Sequence, residues 1–205
     1  MNYNPDIHHR RSIRLREYDY SATGAYFVTI CTQGRECLLG DIAGGVMYLN
    51  DTGRMVETWW QDVSEHFFNV VLDEFVVMPN HFHGIFMIQN VGAGFPRPIL
   101  EHGGPESVGA GFPRPILTPA IQGGETPAIQ GGETPPLPTL GQIVGYFKYQ
   151  TTKHINLMRN NPGVPVWQRN YYERIIRNDD ELAATREYIV NNPMKWVEDE
   201  ENPEL

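Results

Sequence analysis

The sequence predicts an α+β fold, an antiparallel sheet with helices on one face, in the order β-α-β-β-α-β plus a C-terminal helix. Three observations lead there. Four apolar runs rich in β-branched and aromatic residues have strand length. Three other segments carry apolar residues at helical spacing, and the two kinds follow one another in that order once a Gly/Pro-rich stretch is set aside. With 205 residues, 40% hydrophobic and 20% charged, the chain has the bulk for one domain with a sizeable core.

GAYFVTICTQ over 24–33 reads as the first strand. VMYLN over 46–50 is a short strand, and Asn50-Asp51 then offer an N-cap to TGRMVETWWQDVSEHF, an amphipathic helix. VVLDEFVVM (70–78) and HFHGIFMIQ (81–89) are two strands joined by a tight Pro79-Asn80 turn. LGQIVGYFKYQTTKHINLMR (140–159) is a second amphipathic helix. VWQRNYYERIIR (166–177) reads as a strand, and DDELAATREYIVNN (179–192) as a helix closed by Pro193. Leaving out the short 46–50 strand, this is the split βαβ, ferredoxin-like order.

Residues 91–138 interrupt that order. VGAGFPRPIL occurs at 91–100 and again at 108–117, then TPAIQGGE at 118–125 and 126–133. Gly and Pro at this density raise the cost of ordering and break hydrogen-bond ladders, and the units are too short for a solenoid. The expectation is a single domain over 1–205 with a low-complexity loop insertion at 91–138 and an acidic, solvated tail at 198–205.

The net charge of −9 does not by itself point to a nucleic acid, but the charge is segregated. Residues 41–142 carry three basic and eleven acidic residues, 143–178 six basic and one acidic, and 179–205 two basic and nine acidic. A phosphate-binding surface needs a local basic patch rather than a basic protein. The two cysteines, Cys31 and Cys37, lack a C-x-x-C spacing and read as free thiols in a reducing compartment. No signal-like or membrane-length apolar run is present, so a cytoplasmic, nucleoid-associated location without a membrane partner is expected.

Chemistry concentrates in two places. On a strand, side chains at i and i+2 share a face, so His81 and His83 project together with Phe82 opposite. Neutral, they form a preformed pair of nitrogen ligands for a divalent metal; otherwise they are two half-exposed histidines at a strand end. In the second helix Leu140, Ile143, Val144, Phe147, Ile155 and Met158 mark the core stripe. Tyr146 and Gln150 then lie ~40° apart on one flank with Lys153 beside them. Tyr149 falls opposite the core, and His154 near the same face is expected to pack inward.

MPNHFHG, the Tyr-x-x-x-Gln helix and the order of elements together resemble the single-tyrosine HUH transposases of insertion sequences. Within these the chain is most similar to the REP-associated tyrosine transposases, with RRSIRLREYDYSATGAYFVTICT, VWQRNYYERIIRN and REYIVNNPMKW as further support. The resemblance covers 10–90 and 139–197. It implies a metal-dependent, single-stranded DNA nicking and joining enzyme acting in DNA transposition and recombination. By that resemblance His81, His83 and Gln150 hold Mg²⁺ or Mn²⁺, and Tyr146 attacks the phosphodiester to leave a 5′-phosphotyrosine link. Tyr149 is the alternative nucleophile, and Lys153 is our own addition as a group that helps ionise the phenol. The implied partner is a single-stranded palindromic repeat hairpin, bound by a monomer or homodimer.

For DNA, Arg10, Arg11, Arg14 and Arg16 form a candidate N-terminal arm. Lys148, Arg169, Arg174 and Arg177, with Trp167, Tyr171 and Tyr172 as stacking surfaces, form a second patch. Of those three aromatics, at least two are expected in the core. Two other functions compete: a catalytically silent binder of repeat hairpins, which would tolerate loss of Tyr146, and a metal-dependent hydrolase drawing extra carboxylates from Asp73 and Glu74.

Overall fold

The computed structural model describes residues 20–90, 137–199 and 201–202, all within one compact unit. The arm at Arg10–Arg16 and nearly all of the 91–138 insertion lie outside the described residues.

A four-stranded antiparallel sheet has the order β4-β5-β1-β6, from β1 (Gly24–Cys31), β4 (Val70–Val77), β5 (His81–Ile88) and β6 (Tyr172–Ile176). The second and third of the four in chain order lie on one side of the first, and the last lies on the other. The expected split βαβ order is therefore present. Helices α1 (Asp51–His66), α2 (Leu140–Met158) and α3 (Asp179–Asn191) follow at the expected places, and a 3₁₀ helix over Asn192–Glu198 continues α3. Among the described residues, no helix is long and apolar enough to cross a membrane.

The helix starts have identifiable causes. Asn50 accepts a hydrogen bond from the Gly53 amide at 3.0 Å to cap α1. Thr139 and Gln142 form a reciprocal capping box for α2. Asn178 accepts from the Glu181 amide at 2.8 Å for α3. The short 46–50 strand has a partner the sequence reading left out: β3 (Val46–Leu49) pairs with β2 (Gly40–Ala43). Gly44 and Gly45 link them, both at positive φ, as a two-residue hairpin turn requires. The predicted 166–177 strand is shorter than expected. Only 172–176 is extended in the sheet, and 166–171 is a loop tied to the end of β1 by backbone bonds from Gln33 to Val166 and from Gln168 to Cys31.

The sheet has two dressed faces. Tyr26, Val28 and Ile30 of β1 with Phe82 and Phe86 of β5 pack against Trp60 of α1 and Phe147 of α2, forming the main core. The alternate residues of the same strands point the other way. There Ile85 meets Ile176 and Ile189, with Phe27 and Leu182 at the margin, so α3 covers the opposite face. That alternation decides where each histidine points.

Candidate metal centre

His81 and His83 share the α3 face of β5, as the period of two demands, with ring centroids 4.5 Å apart. Both are buried. The orientation of His81 follows from its neighbour: the Asn80 amide nitrogen donates to the carbonyls of Arg35 and Glu201, so its oxygen faces His81 Nδ1 at 2.9 Å. An amide oxygen only accepts, so Nδ1 carries the proton and Nε2 keeps a lone pair. That Nε2 is buried without a hydrogen-bond partner. The His83 Nδ1 lies 2.8 Å from the Thr29 hydroxyl of β1, which leaves its Nε2 facing the same space. Burial pushes the His81 pKa down to about 4, against the opposing pull of the Asp199 carboxylate. Burial, with His81 beside it, holds His83 well below the usual imidazole range. Both rings are thus neutral at pH 7, the form that ligates metals.

The chain after α3 supplies the other side of the space. Asp199 Oδ2 lies 3.9 Å from His81 Nε2, and His81, His83 and Asp199 bring ligand atoms within 4.8 Å of one another. Asn192 lies against His81, and its carbonyl oxygen is buried without a partner. Trp196 sits beside the His81 ring at 6.1 Å. Two neutral imidazoles, a carboxylate and an unpartnered amide oxygen fit a divalent cation. Tyr188 of α3 completes the group: its hydroxyl is 3.4 Å from His83 Nε2, and its ring meets Phe27 and His83 edge-on.

Tyr146 and Gln150 are not brought to the histidines. They belong to α2, which packs on the other face of the sheet. The Tyr146 hydroxyl donates to Asp62 Oδ2 of α1 at 2.7 Å, and its ring stacks on His66 at 3.9 Å. Burial, then the Asp62 carboxylate, pushes its pKa up to about 12, with Gln150 bonded to the same hydroxyl. Tyr149 and Lys153 point outward. His154 packs on Trp59 with ring centroids 4.5 Å apart.

The basic patch divides. Trp167 is core, 5% exposed, and its indole donates to Thr151 at 2.8 Å, so it offers no face to a base. Tyr171 packs against the main core. Tyr172, Arg169, Arg174 and Arg177 are exposed. Lys148 reaches from α2 to the 166–171 loop, where its ammonium donates to the carbonyls of Gln168 (2.6 Å) and Arg169 (3.1 Å). It braces the loop that carries Arg169. Of the acidic tail, Asp199 enters the histidine cluster and Glu201 pairs with Arg35 at 2.9 Å. Neither cysteine is in a disulfide; Cys31 is buried and Cys37 exposed.

Tyr188, Asn192 and Asp199 are the residues that sequence reasoning missed. Tyr188 and Asn192 stand in REYIVNNP, where a wheel centred on Ile189 would have put Tyr188 on a flank rather than outward. Nothing local distinguishes Asp199 from the acids around it.

No family model matches the chain. An uncharacterized protein of Haemophilus influenzae is 39% identical over 199 residues, spanning 97% of this chain and 96% of that protein. Among solved structures, a REP-associated tyrosine transposase bound to a REP hairpin superposes with a TM-score of 0.51 at 17% identity, covering 90% of this chain and 74% of that one. That likeness bears on the fold, which is the α+β arrangement described above.

Proposed function

We propose that this chain, which belongs to one family with the Haemophilus influenzae protein, is a metal-dependent transesterase of single-stranded DNA. In this reading it nicks and rejoins strands beside repeat hairpins, as a transposase does, with Tyr188 as nucleophile. One observation carries the reading: a tyrosine hydroxyl stands 3.4 Å from His83 Nε2, in a buried, neutral histidine pair whose ring nitrogens converge with a carboxylate. The shared fold with a hairpin-bound transposase supports the choice of substrate.

His81, His83, Asp199 and Asn192 would hold the cation, with Asn80 and Thr29 orienting the rings. When bound there, a divalent cation would supply Lewis-acid polarisation of the scissile phosphate and offset its charge. The residues around it set the geometry of the exchange. Tyr188 Oη forms a bond to phosphorus while the bond from phosphorus to the 3′ oxygen breaks. The phenol proton passes to water, the departing 3′ oxygen takes one up, and the 5′ end stays on Tyr188. One ester replaces another, so rejoining is the same step in reverse. Tyr172, Arg169, Arg174 and Arg177 serve as stacking and phosphate contacts for the unpaired strand. Tyr146, held by Asp62 and stacked on His66, braces α1 against α2. Because one chain supplies every one of these groups, a monomer suffices, working in the cytoplasm on nucleoid DNA.

The donor set favours Mn²⁺ over Mg²⁺, since imidazoles are poor partners for the harder ion. Asp73 is engaged by Arg186 on the far side of α3 from Tyr188, so the carboxylate beside the histidines is Asp199 and not the one the hydrolase reading expected. The decisive experiment incubates end-labelled hairpin DNA from repeats flanking the gene with the protein and Mn²⁺, followed by denaturing electrophoresis. A covalent species lost in Tyr188→Phe and His81→Ala, and retained in Tyr146→Phe, is the expected result. Retention in Tyr188→Phe would refute the assignment, and hairpin binding without any adduct would favour the silent binder.

A further inference from the structure

Tyr188 depends for its position on a helix with little apolar footing. Only Thr185 and Ile189 of α3 are buried, and Ile189 joins a cluster with just Ile85 and Ile176 as its other buried members. A single buried aliphatic side chain resists rolling of a helix about its axis only weakly. Taking ~100° per residue, Arg186 projects ~60° to one side of Ile189 and Tyr188 ~100° to the other. A grip on Arg186 therefore acts on the roll that carries Tyr188.

That grip exists. Arg186 Nε donates to Asp73 Oδ1 at 2.7 Å, and Nη2 donates to Asp73 Oδ2, the two-pronged geometry that fixes direction as well as distance. Asp73 lies where the pairing of β4 with β5 shifts register between Leu72 and Phe75, the kind of irregularity that re-aims a side chain. Its Oδ1 also accepts from the Glu74 amide at 2.8 Å. The carboxylate is thus held from two sides, and its side chain is 8% exposed against 45% for Arg186.

We propose that the Asp73–Arg186 pair is a positioning device that fixes the roll of α3 and so holds the Tyr188 hydroxyl at the histidine pair. This rests on Tyr188 being the nucleophile. A roll of about 10° moves a point at the ~5–6 Å outer radius of a helix by about 1 Å. A displacement of about 1 Å is enough to cost on the order of 100-fold in rate. Arg186 is half-exposed, where an ion pair contributes modestly to stability, and Asp73 keeps the Glu74 amide as a partner, so loss of the arginine leaves the fold standing and the effect appears in the chemistry.

The test compares the full-length wild type with Arg186→Ala, Asp73→Asn and Arg186→Lys on a labelled hairpin oligonucleotide in Mn²⁺. Expected in the first two is an adduct rate at saturating DNA lowered on the order of 100-fold. KM for DNA stays unchanged, Mn²⁺ affinity falls far less than the rate because His81 and His83 are held by β5 and not by α3, and amide exchange quickens across 179–191 alone. Arg186→Lys, which keeps the charge without the fork, falls between. An unchanged adduct rate in Arg186→Ala, or a fall matched by equal loss of Mn²⁺ affinity, overturns the proposal. Should Tyr188→Phe form adduct as the wild type does, the nucleophile assignment fails, and amide exchange still decides whether the pair holds α3: unchanged exchange sinks the clamp as well.

Discussion

Asn80 decides the state of His81 through two hydrogen bonds to main-chain carbonyls, which shows how much of the candidate site is fixed one residue away from the ligand itself. The pair His81 and His83 was legible in the sequence because a strand repeats every two residues and the run around them is apolar. The placement of Tyr188 beside them was not. The helical wheel of 140–159 correctly separated its core from its flank, but a wheel carries no information about which face of the sheet the helix covers. Neutral buried histidines also give a pH dependence to stability. Well above their ordinary 6.5 they are uncharged whether the chain is folded or not. As pH falls below 6.5 the unfolded chain takes up protons that the folded chain, with His81 held down to about 4, does not. Stability of the metal-free protein is therefore expected to decline between pH 6.5 and 4, read as a falling urea midpoint, with a smaller decline in His81→Gln. Asp73, held low by Arg186, adds its own loss only below its usual 3.8.

Strand β5 carries both functions of the sheet. Its odd-numbered residues build the face of the candidate metal centre and its even-numbered ones the main core, and the glycine in HFHGIF is what lets them coexist. A Cβ on Gly84 would stand 2.7 Å from the Trp60 ring and 2.8 Å from that of Phe82. Trp60 lies across the bare backbone and closes the core over Phe82, Phe86 and Phe147. Gly84→Ala is expected to cost about 1–3 kcal/mol through overpacking, measured by chemical denaturation. Loss of Mn²⁺ affinity should accompany it, because the displaced strand bears both histidines. The elements themselves were legible to within a residue or two where cap and periodicity agreed, as at Asn50. The sequence reading went astray at 166–177, where β-rich composition continues through a loop that is anchored by main-chain bonds rather than by pairing in the sheet. It also omitted β2, whose alternation is too short to register without its partner.

At the scale of the molecule, charge is sorted by position. The segment from 143 to 178 holds six basic residues in an otherwise acidic protein, and its arginines at 169, 174 and 177 are exposed on and beside the loop that Lys148 braces. Binding of single-stranded DNA should weaken steeply with salt. Replacing any one of those arginines with alanine should lower the log–log salt slope by ~0.7 if it meets a phosphate, as read by fluorescence anisotropy across a salt series; an unchanged slope would remove that residue from the interface. The fold class was readable from the order of elements alone, whereas the composition of the site was not, because it draws on three parts of the chain. His81 and His83 precede residues 91–136, while Tyr188, Asn192 and Asp199 follow them, joined to the first part through β1–β6 pairing and the shared core of α1 and α2. Any break of the backbone within 91–136 would leave the two histidines on one polypeptide and Tyr188, Asn192 and Asp199 on the other, with β1 and β6 as the edges along which the two would pair. Under the proposed function, activity would then be conditional on two separately expressed pieces finding each other.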